Sequence, residues 1–151
     1  MNISDLRQLY RDGQNIMEYL RRNHESEMSV SEMVRISYDL QAGSYVEKYF
    51  KDPETEINRA KVYSKYLGEL LKNEKSDVLE IGIGEGTSAV SIFKQLGRKG
   101  INLRGFDISL SRIAVAQSFF RENSVQVSLA CADACSIPLA DNAMDLIYTI
   151  H

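Results

Sequence analysis

The spacing of apolar residues divides the chain into two parts. Up to about residue 71, apolar side chains recur every three or four positions, as on one face of a helix. The pattern predicts three helices, over residues 4–23, 29–50 and 52–71. Ser29 and Glu32 have the spacing of a capping box, and Asp52-Pro53 places a capping acid before a proline in the first turn. Apart from an interruption at Gly13, the first part is therefore expected to be helical.

After residue 76, short apolar runs alternate with helical stretches, which is typical of repeated βαβ units. The runs predict strands over residues 77–81, 101–106, 125–130 and 145–150. Helices are expected over 87–96, closed by Gly97, and over 109–122, capped by Ser109. Right-handed crossovers then give an α/β fold with a doubly wound parallel (Rossmann-like) sheet in the strand order 3-2-1-4.

This pattern suggests two structural units. We expect an N-terminal helical cap over residues 1–52 and an incomplete Rossmann-like domain over residues 53–151. Doubly wound sheets normally continue past a fourth strand, and folded proteins usually avoid an apolar edge strand. The sequence is therefore expected to be a fragment of a longer protein. A strand supplied by a second copy, in a homodimer, is the alternative.

The composition fits a soluble globular domain, because 44% of the 151 residues are hydrophobic and 26% are charged. The 18 Lys and Arg against 21 Asp and Glu leave a net charge of −3, without the basic surplus typical of nucleic-acid binding. No stretch resembles a signal peptide or a membrane span, so a cytoplasmic protein is expected. Cys131, Cys135, His24 and His151 are too few for a structural zinc site, so we expect no metal and two free thiols.

Three glycines at alternate positions, Gly82, Gly84 and Gly86, lie between the first predicted strand and the helix that follows. Glycine is required where the backbone takes a positive φ or where a ligand approaches the main chain closely. A strand, a glycine turn and a helix together predict a nucleotide-binding corner. The dinucleotide fingerprint has a glycine at its sixth position, where this chain has Thr87. Glu80 would also disfavour a pyrophosphate, whereas a cationic ligand would tolerate it or gain from it.

Residues 80–86 resemble the first motif of the class I S-adenosylmethionine-dependent methyltransferases, which is an acid, a variable residue and Gly-x-Gly-x-Gly. Further similarities to that family lie in residues 38–45, 105–109, 132–134 and 137–147. The resemblance implies S-adenosylmethionine as the cofactor. Glu80 and the glycines would then lie beneath its methionine and ribose parts.

The resemblance also implies roles for residues that follow the second and third strands. Asp107, with Ile108 beside it, would bind both ribose hydroxyls, since a carboxylate accepts two hydrogen bonds from a vicinal diol better than a neutral side chain does. Asp133 and the backbone N–H of Ala134 would recognise the adenine. With these positions included, cofactor binding is favoured over a ligand-free turn.

Three more positions are candidates for the site. In many small-molecule methyltransferases a tyrosine from the segment similar to 38–45 covers the cofactor, which points to Tyr38 and Tyr45. Their spacing of seven on one helical face favours core packing when it is considered alone. His151 lies where family members often have a residue that faces the methyl group, and it is the candidate catalytic base.

The resemblance implies direct displacement of the methyl group onto an acceptor. Methyltransferases that act on adenine or glutamine amino groups carry Asn or Asp, then Pro-Pro and an aromatic, after the fourth strand. Residues 148–151 lack these prolines, so a small-molecule acceptor is expected. Two alternatives remain open: an NAD- or FAD-binding oxidoreductase domain, and a non-catalytic module that binds S-adenosylmethionine.

Overall fold

The computed structural model describes residues 3–24, 27–137 and 139–150. The helices are α1 (Ile3–Arg11), α2 (Ile16–His24), α3 (Val30–Gln41), α4 (Ser44–Lys51), α5 (Pro53–Leu70), α6 (Thr87–Leu96) and α7 (Leu110–Glu122). The strands are β1 (Ser76–Ile81), β2 (Ile101–Asp107), β3 (Ser128–Cys131) and β4 (Leu146–Tyr148). From β1 onward, strands and helices alternate as the sequence pattern predicts.

The four strands form one parallel sheet in the order β3-β2-β1-β4, which confirms the predicted topology. Glu80, near the end of the central strand β1, pairs in register with Gly105 of β2 and with Tyr148 of β4. Because all strands run the same way, their carboxyl ends meet at one edge of the sheet. Ligands of doubly wound folds bind at this edge.

The prediction of two long helices before residue 52 was wrong. Each is interrupted at a glycine with positive φ, at Gly13 (78°) between α1 and α2 and at Gly43 (99°) between α3 and α4. A residue in the left-handed conformation ends a helix, and glycine adopts this conformation without a steric penalty. The interruption at Gly43 places Tyr38 and Tyr45 on different helices instead of on one face of a single helix.

Two strands are shorter than predicted. Strand β3 begins at Ser128 because the N–H of Val125 bonds to the carbonyl of Phe120, at 3.1 Å, and so closes the end of α7 instead of joining the sheet. Strand β4 covers only residues 146–148, although Asp145 still donates to the carbonyl of Asp77, at 2.9 Å. The other strand boundaries agree with the prediction to within one residue.

The main core lies between the sheet and the helices α6 and α7, and it includes Val78, Val90, Leu103, Phe119 and Phe120. Helices α1 to α3 bury a second cluster of their own, formed by Leu6, Ile16, Leu20 and Met33. Helix α5 packs on α6 through a third cluster. The boundary between two domains at residue 52 stays a prediction. Across the described residues, no helix has the length and apolarity that crossing a membrane requires.

Candidate functional site

The turn after β1 is held against β2 by backbone hydrogen bonds. The N–H groups of Gly82 and Ile83 both donate to the carbonyl of Phe106, at 2.9 and 3.0 Å. The Ile83 side chain lies over Gly105, where an added Cβ would stand 2.3 Å from Ile83 Cδ1. Gly105 is therefore needed for the turn to fit, a requirement that the sequence reasoning missed.

All three glycines of the turn have positive φ: 71° at Gly82, 56° at Gly84 and 77° at Gly86. Gly86 is the N-cap residue of α6, and a Cβ there would stand 2.3 Å from Cε2 of Phe120 on α7. This glycine therefore lets α6 and α7 pack closely. The dinucleotide fingerprint instead has a glycine at its sixth position, which is Thr87 in this chain, for close packing of helix and strand.

Asp107 lies at the end of β2, where only 5% of it is exposed. One carboxylate oxygen accepts the N–H of Gly84 at 2.9 Å, and the other accepts the N–H of Ser109, also at 2.9 Å. Each oxygen has a second lone pair, so the carboxylate can accept further hydrogen bonds. Asp107 thus fixes the glycine turn and the start of α7 while it keeps capacity for a ligand.

A cavity of about 350 Å³ opens at this edge of the sheet, a volume in the range of small-molecule sites. The predicted residues that line it are Tyr38, Tyr45, Glu80, Gly82, Gly84 and Asp107. The lining residues that were not predicted are Glu56, Arg59, Ile83, Glu85, Thr87, Ser88, Arg112 and Ile150. The structure therefore brings the glycine turn, the two acidic strand-end residues and the two tyrosines together around one space.

Glu80 is an acid in the lining of this cavity, and only 2% of it is exposed. The hydroxyl of Tyr148 on β4 donates to it at 2.8 Å. Burial raises the pKa of Glu80 from its ordinary 4.5 to about 7; the Tyr148 hydrogen bond opposes this rise, and the charge of Glu56 adds to it. Burial and the neighbouring Glu80 likewise raise the pKa of Tyr148 well above 10.0. A positive charge in the cavity would favour the ionised form of Glu80.

Tyr38 and Tyr45 are 38% and 51% exposed, so the interpretation of their spacing as core packing was wrong. Their rings lie on the guanidinium of Arg112, whose central carbon is 4.2 Å and 4.9 Å from the two ring centroids. Arg112 was not predicted, although it comes from the first turn of α7, five residues after Asp107. No sequence pattern marks a single arginine there.

Glu85, inside the glycine turn, is another residue that the sequence reasoning missed. It is 2% exposed and accepts the N–H groups of Gly43 and Val46 at 2.9 and 2.8 Å. It thereby holds the start of α4, the helix that carries Tyr45. The only signal for Glu85 in the sequence is its position between two glycines of the turn. An acid there is equally compatible with a solvated side chain.

Asp39 of α3 makes a similar connection at the start of α7. One of its carboxylate oxygens accepts the hydroxyl of Ser109 at 2.6 Å and the N–H of Ser111 at 3.1 Å. Together with Glu85, it attaches the helical cap to the part of the sheet edge where the cavity lies.

The remaining predicted residues are not in the lining of the cavity. Ile108 directly follows Asp107, and the segment that carries Asp133 and Ala134 is joined to the end of β2 by a hydrogen bond from the N–H of Ala132 to the carbonyl of Asp107, at 3.0 Å. The carboxylate of Asp133 accepts the N–H of Cys135 at 2.9 Å, and this bond, followed by the Ser31 hydroxyl, lowers the pKa of Asp133. His151 lies outside the described residues, so its role stays a prediction.

The parallel sheet, the positive-φ glycine turn and the acid at the end of the neighbouring strand define a Rossmann-like nucleotide-binding domain. Residues 78–151 match the family model of the methyltransferase domain. This segment belongs to the class I S-adenosylmethionine-dependent methyltransferase family. S-adenosylmethionine is the cofactor of that family.

Solved structures have the same fold. The chain is 26% identical to SpnF, described as a 4+2 cyclase, with a TM-score of 0.50 over 58% of this chain and 32% of that one. It is 18% identical to a candidate S-adenosyl-L-methionine-dependent methyltransferase from Methanococcus maripaludis, with a TM-score of 0.58 over 70% of this chain and 47% of that one. A Pyrococcus horikoshii protein is 22% identical, with a TM-score of 0.50 over 60% of this chain and 40% of that one. The chain thus spans about a third to a half of the length of these proteins.

Proposed function

We propose that this protein binds S-adenosylmethionine in the cavity at the carboxyl edge of the sheet and transfers its methyl group to a small-molecule acceptor. The observation that carries the proposal is the placement of two buried carboxylates, Glu80 and Asp107, beside the glycine turn in one cavity. The carboxylate of Glu80 suits a cation, and the carboxylate of Asp107 suits a vicinal diol. S-adenosylmethionine has both groups, whereas the pyrophosphate of NAD or FAD would meet the negative charge.

The described residues fit the cofactor part by part. Asp107 would hold the ribose hydroxyls with the lone pairs that Gly84 and Ser109 leave free. Glu80 would lie near the positively charged part of the cofactor. Tyr38 and Tyr45 would cover the bound cofactor, since both line the cavity and are exposed. Outside the cavity lining, Ile108, Asp133 and Ala134 would complete the adenine end.

When bound, S-adenosylmethionine supplies an electrophilic methyl group to an acceptor atom. The chain contributes mainly binding and orientation, which lower the barrier by holding the two reactants together. His151 is the proposed base where the acceptor must lose a proton. The net charge of −3, and the lack of prolines in residues 148–151, support a small molecule as the acceptor over a nucleic acid.

Calorimetric titration of the 151-residue chain with S-adenosylhomocysteine and with NADH tests the choice of nucleotide. We expect S-adenosylhomocysteine to bind and NADH to give no response. Binding of NADH without binding of S-adenosylhomocysteine would overturn the proposal in favour of an oxidoreductase domain.

The role of Asp107 is tested with Asp107→Ala, compared with Asp5→Ala on the exposed side of α1. We expect Asp107→Ala to weaken S-adenosylhomocysteine binding by about 1–3 kcal/mol, the value of hydrogen bonds to a charged group, and Asp5→Ala to leave it unchanged. The 2′-deoxy analogue separates a direct contact from a loosened turn. The unaltered chain should bind this analogue more weakly than S-adenosylhomocysteine. In Asp107→Ala the difference in affinity should disappear if Asp107 contacts the diol, and should persist if it does not.

A function without methyl transfer is the second candidate, such as a module that only binds S-adenosylmethionine, because one similar structure of this fold is described as a cyclase and not as a methyltransferase. Incubation with methyl-labelled S-adenosylmethionine and a small-molecule extract separates the two functions. Labelled products are expected if the protein is a methyltransferase. Binding of the cofactor without transfer to any fraction would favour the binding module.

A further inference from the structure

Arg112 is a buried positive charge within the proposed cofactor cavity. It lies in the first turn of α7, only 6% of it is exposed, and it lines the same cavity as Glu80 and Asp107. Charged side chains are almost never buried to this extent unless they are paired. The partners of its guanidinium therefore indicate what the cavity is built to hold.

Among the described residues, these partners are weak. Tyr38 and Tyr45 present ring faces to the guanidinium carbon at 4.2 and 4.9 Å. Nη2 donates to the amide oxygen of Gln41 over a long 3.4 Å, and Nε is buried without a hydrogen-bond partner. No carboxylate of the described residues forms an ion pair with Arg112.

The acids that line the cavity have other partners. Glu56 pairs with Arg59 at 3.5 Å and accepts the hydroxyl of Ser88 at 2.6 Å. The Tyr148 hydroxyl donates to Glu80. The carboxylates of Glu85 and Asp107 each accept two backbone N–H groups. The folded chain thus surrounds a guanidinium with aromatic rings and one amide, and directs the nearby carboxylates elsewhere.

A buried guanidinium without a counter-ion is unfavourable, because the aromatic faces return only part of the lost hydration. An anion on the molecule that enters the cavity would supply what is missing. The planar fork of arginine matches a carboxylate or a phosphate. Four carboxylates line the same cavity, so a multiply charged phosphate would be repelled more strongly than a carboxylate with a single charge.

We propose that Arg112 binds a carboxylate group of the molecule that occupies this cavity. The inference rests on the proposed function, in which two molecules could bring that group: the cofactor, through its amino-acid end, or the methyl acceptor. The same contact would hold the guanidinium between Tyr38 and Tyr45, so that the tyrosines close on an occupied site.

The test compares two ligands that differ only by the carboxylate, S-adenosylhomocysteine and its decarboxylated analogue, by calorimetric titration of the 151-residue chain. The variants are Arg112→Met, which keeps the length and apolar contact of the side chain, and Arg112→Lys, which keeps the charge without the fork. Arg121→Met on the exposed side of α7 is the matched control. Circular dichroism verifies that each variant is folded.

If the cofactor brings the carboxylate, the unaltered chain should bind S-adenosylhomocysteine about tenfold or more tightly than its decarboxylated analogue. Arg112→Met should remove this preference, Arg112→Lys should keep part of it, and Arg121→Met should keep all of it. If Arg112→Met does not fold, Arg112→Lys decides this arm. Because Arg59 also lines the cavity, a preference that is unreduced in the Arg112 variants would overturn the inference.

If the acceptor brings the carboxylate, the two nucleosides bind alike, and the chain saturated with S-adenosylhomocysteine should bind benzoate. That binding should be lost in Arg112→Met, weakened in Arg112→Lys and kept in Arg121→Met. No preference for the carboxylate ligand together with no binding of benzoate would overturn the inference while leaving the proposed function intact. Failure of the unaltered chain to bind either nucleoside would instead overturn the proposed function, and this inference with it.

Discussion

Replacement of Glu80 by glutamine should remove a specific pH dependence of stability. Glu80 is 2% exposed, and burial raises its pKa from 4.5 to about 7. Between these two values the folded chain holds a proton that the unfolded chain has released. The free energy of unfolding therefore decreases as the pH rises from 4.5 to 7, because the folded state binds more protons than the unfolded state.

The size of the effect follows from the pKa. A rise from 4.5 to about 7 corresponds to about 3 kcal/mol, at about 1.4 kcal/mol for each tenfold change in the proton equilibrium. Glutamine has no proton to release, and its amide oxygen can still accept the Tyr148 hydroxyl. The stability of Glu80→Gln relative to the unaltered chain should therefore increase by about 3 kcal/mol from pH 4.5 to pH 8.

Urea denaturation followed by circular dichroism at several pH values between 4.5 and 8 measures this difference. Glu69→Gln, an exposed position on α5, is the control and should show the same pH profile as the unaltered chain. Parallel profiles for Glu80→Gln and the unaltered chain would refute the reasoning, because they would mean that Glu80 is ionised in the folded protein at pH 5.

Three further predictions concern packing, attachment of the cap and proton release. Gly86→Ala should lower the free energy of unfolding by about 3 kcal/mol or more, because this position has a positive φ and the new Cβ also clashes with Phe120. Gly13→Ala is the control, since Gly13 has a similar φ but open space around it, and it should lower the free energy of unfolding by only about 1–2 kcal/mol in denaturation. Glu85→Ala leaves two backbone N–H groups without their acceptor and should cost about 2–4 kcal/mol, whereas the exposed Glu47→Ala should leave the midpoint unchanged. Equal effects within either pair would contradict these assignments. Binding of S-adenosylmethionine at pH 7 should release a fraction of a proton from the buried carboxyl of β1, measured by calorimetry in buffers of different ionisation enthalpy, and a buffer-independent enthalpy would argue against it.

The parts of the fold that local patterns specify were predictable. The glycine spacing located the turn after β1, and the change of apolar period located the parallel sheet and its strand order. The side chains of Ser29, Asp52 and Ser109 cap the helices for which they were proposed. In each cap the interacting groups lie within a few residues of one another, so both partners are visible in a short stretch of sequence.

The interruption of the second predicted helix at Gly43 was not predictable on the same basis, whereas Gly13 already interrupted the apolar pattern of the first. A glycine inside a helix costs only about 1 kcal/mol relative to alanine, so the residue alone does not decide whether the helix breaks. Whether the helix is interrupted at Gly43 depends on a distant residue, because the N–H of Gly43 donates to Glu85, 42 residues later in the chain. A local pattern contains no information about such a contact.

The same argument explains why the cavity was predicted only in part. Its floor, formed by the glycine turn, Glu80 and Asp107, belongs to one βαβ unit and has a local signature. Its cover depends on Glu85 and Asp39, whose carboxylates accept backbone N–H groups 39 to 72 residues away. Since these contacts fix the helices that carry the two tyrosines, the cover exists only when the cap is attached. A ligand that bridges floor and cover should therefore stabilise that attachment, because it binds only the state in which both are in place.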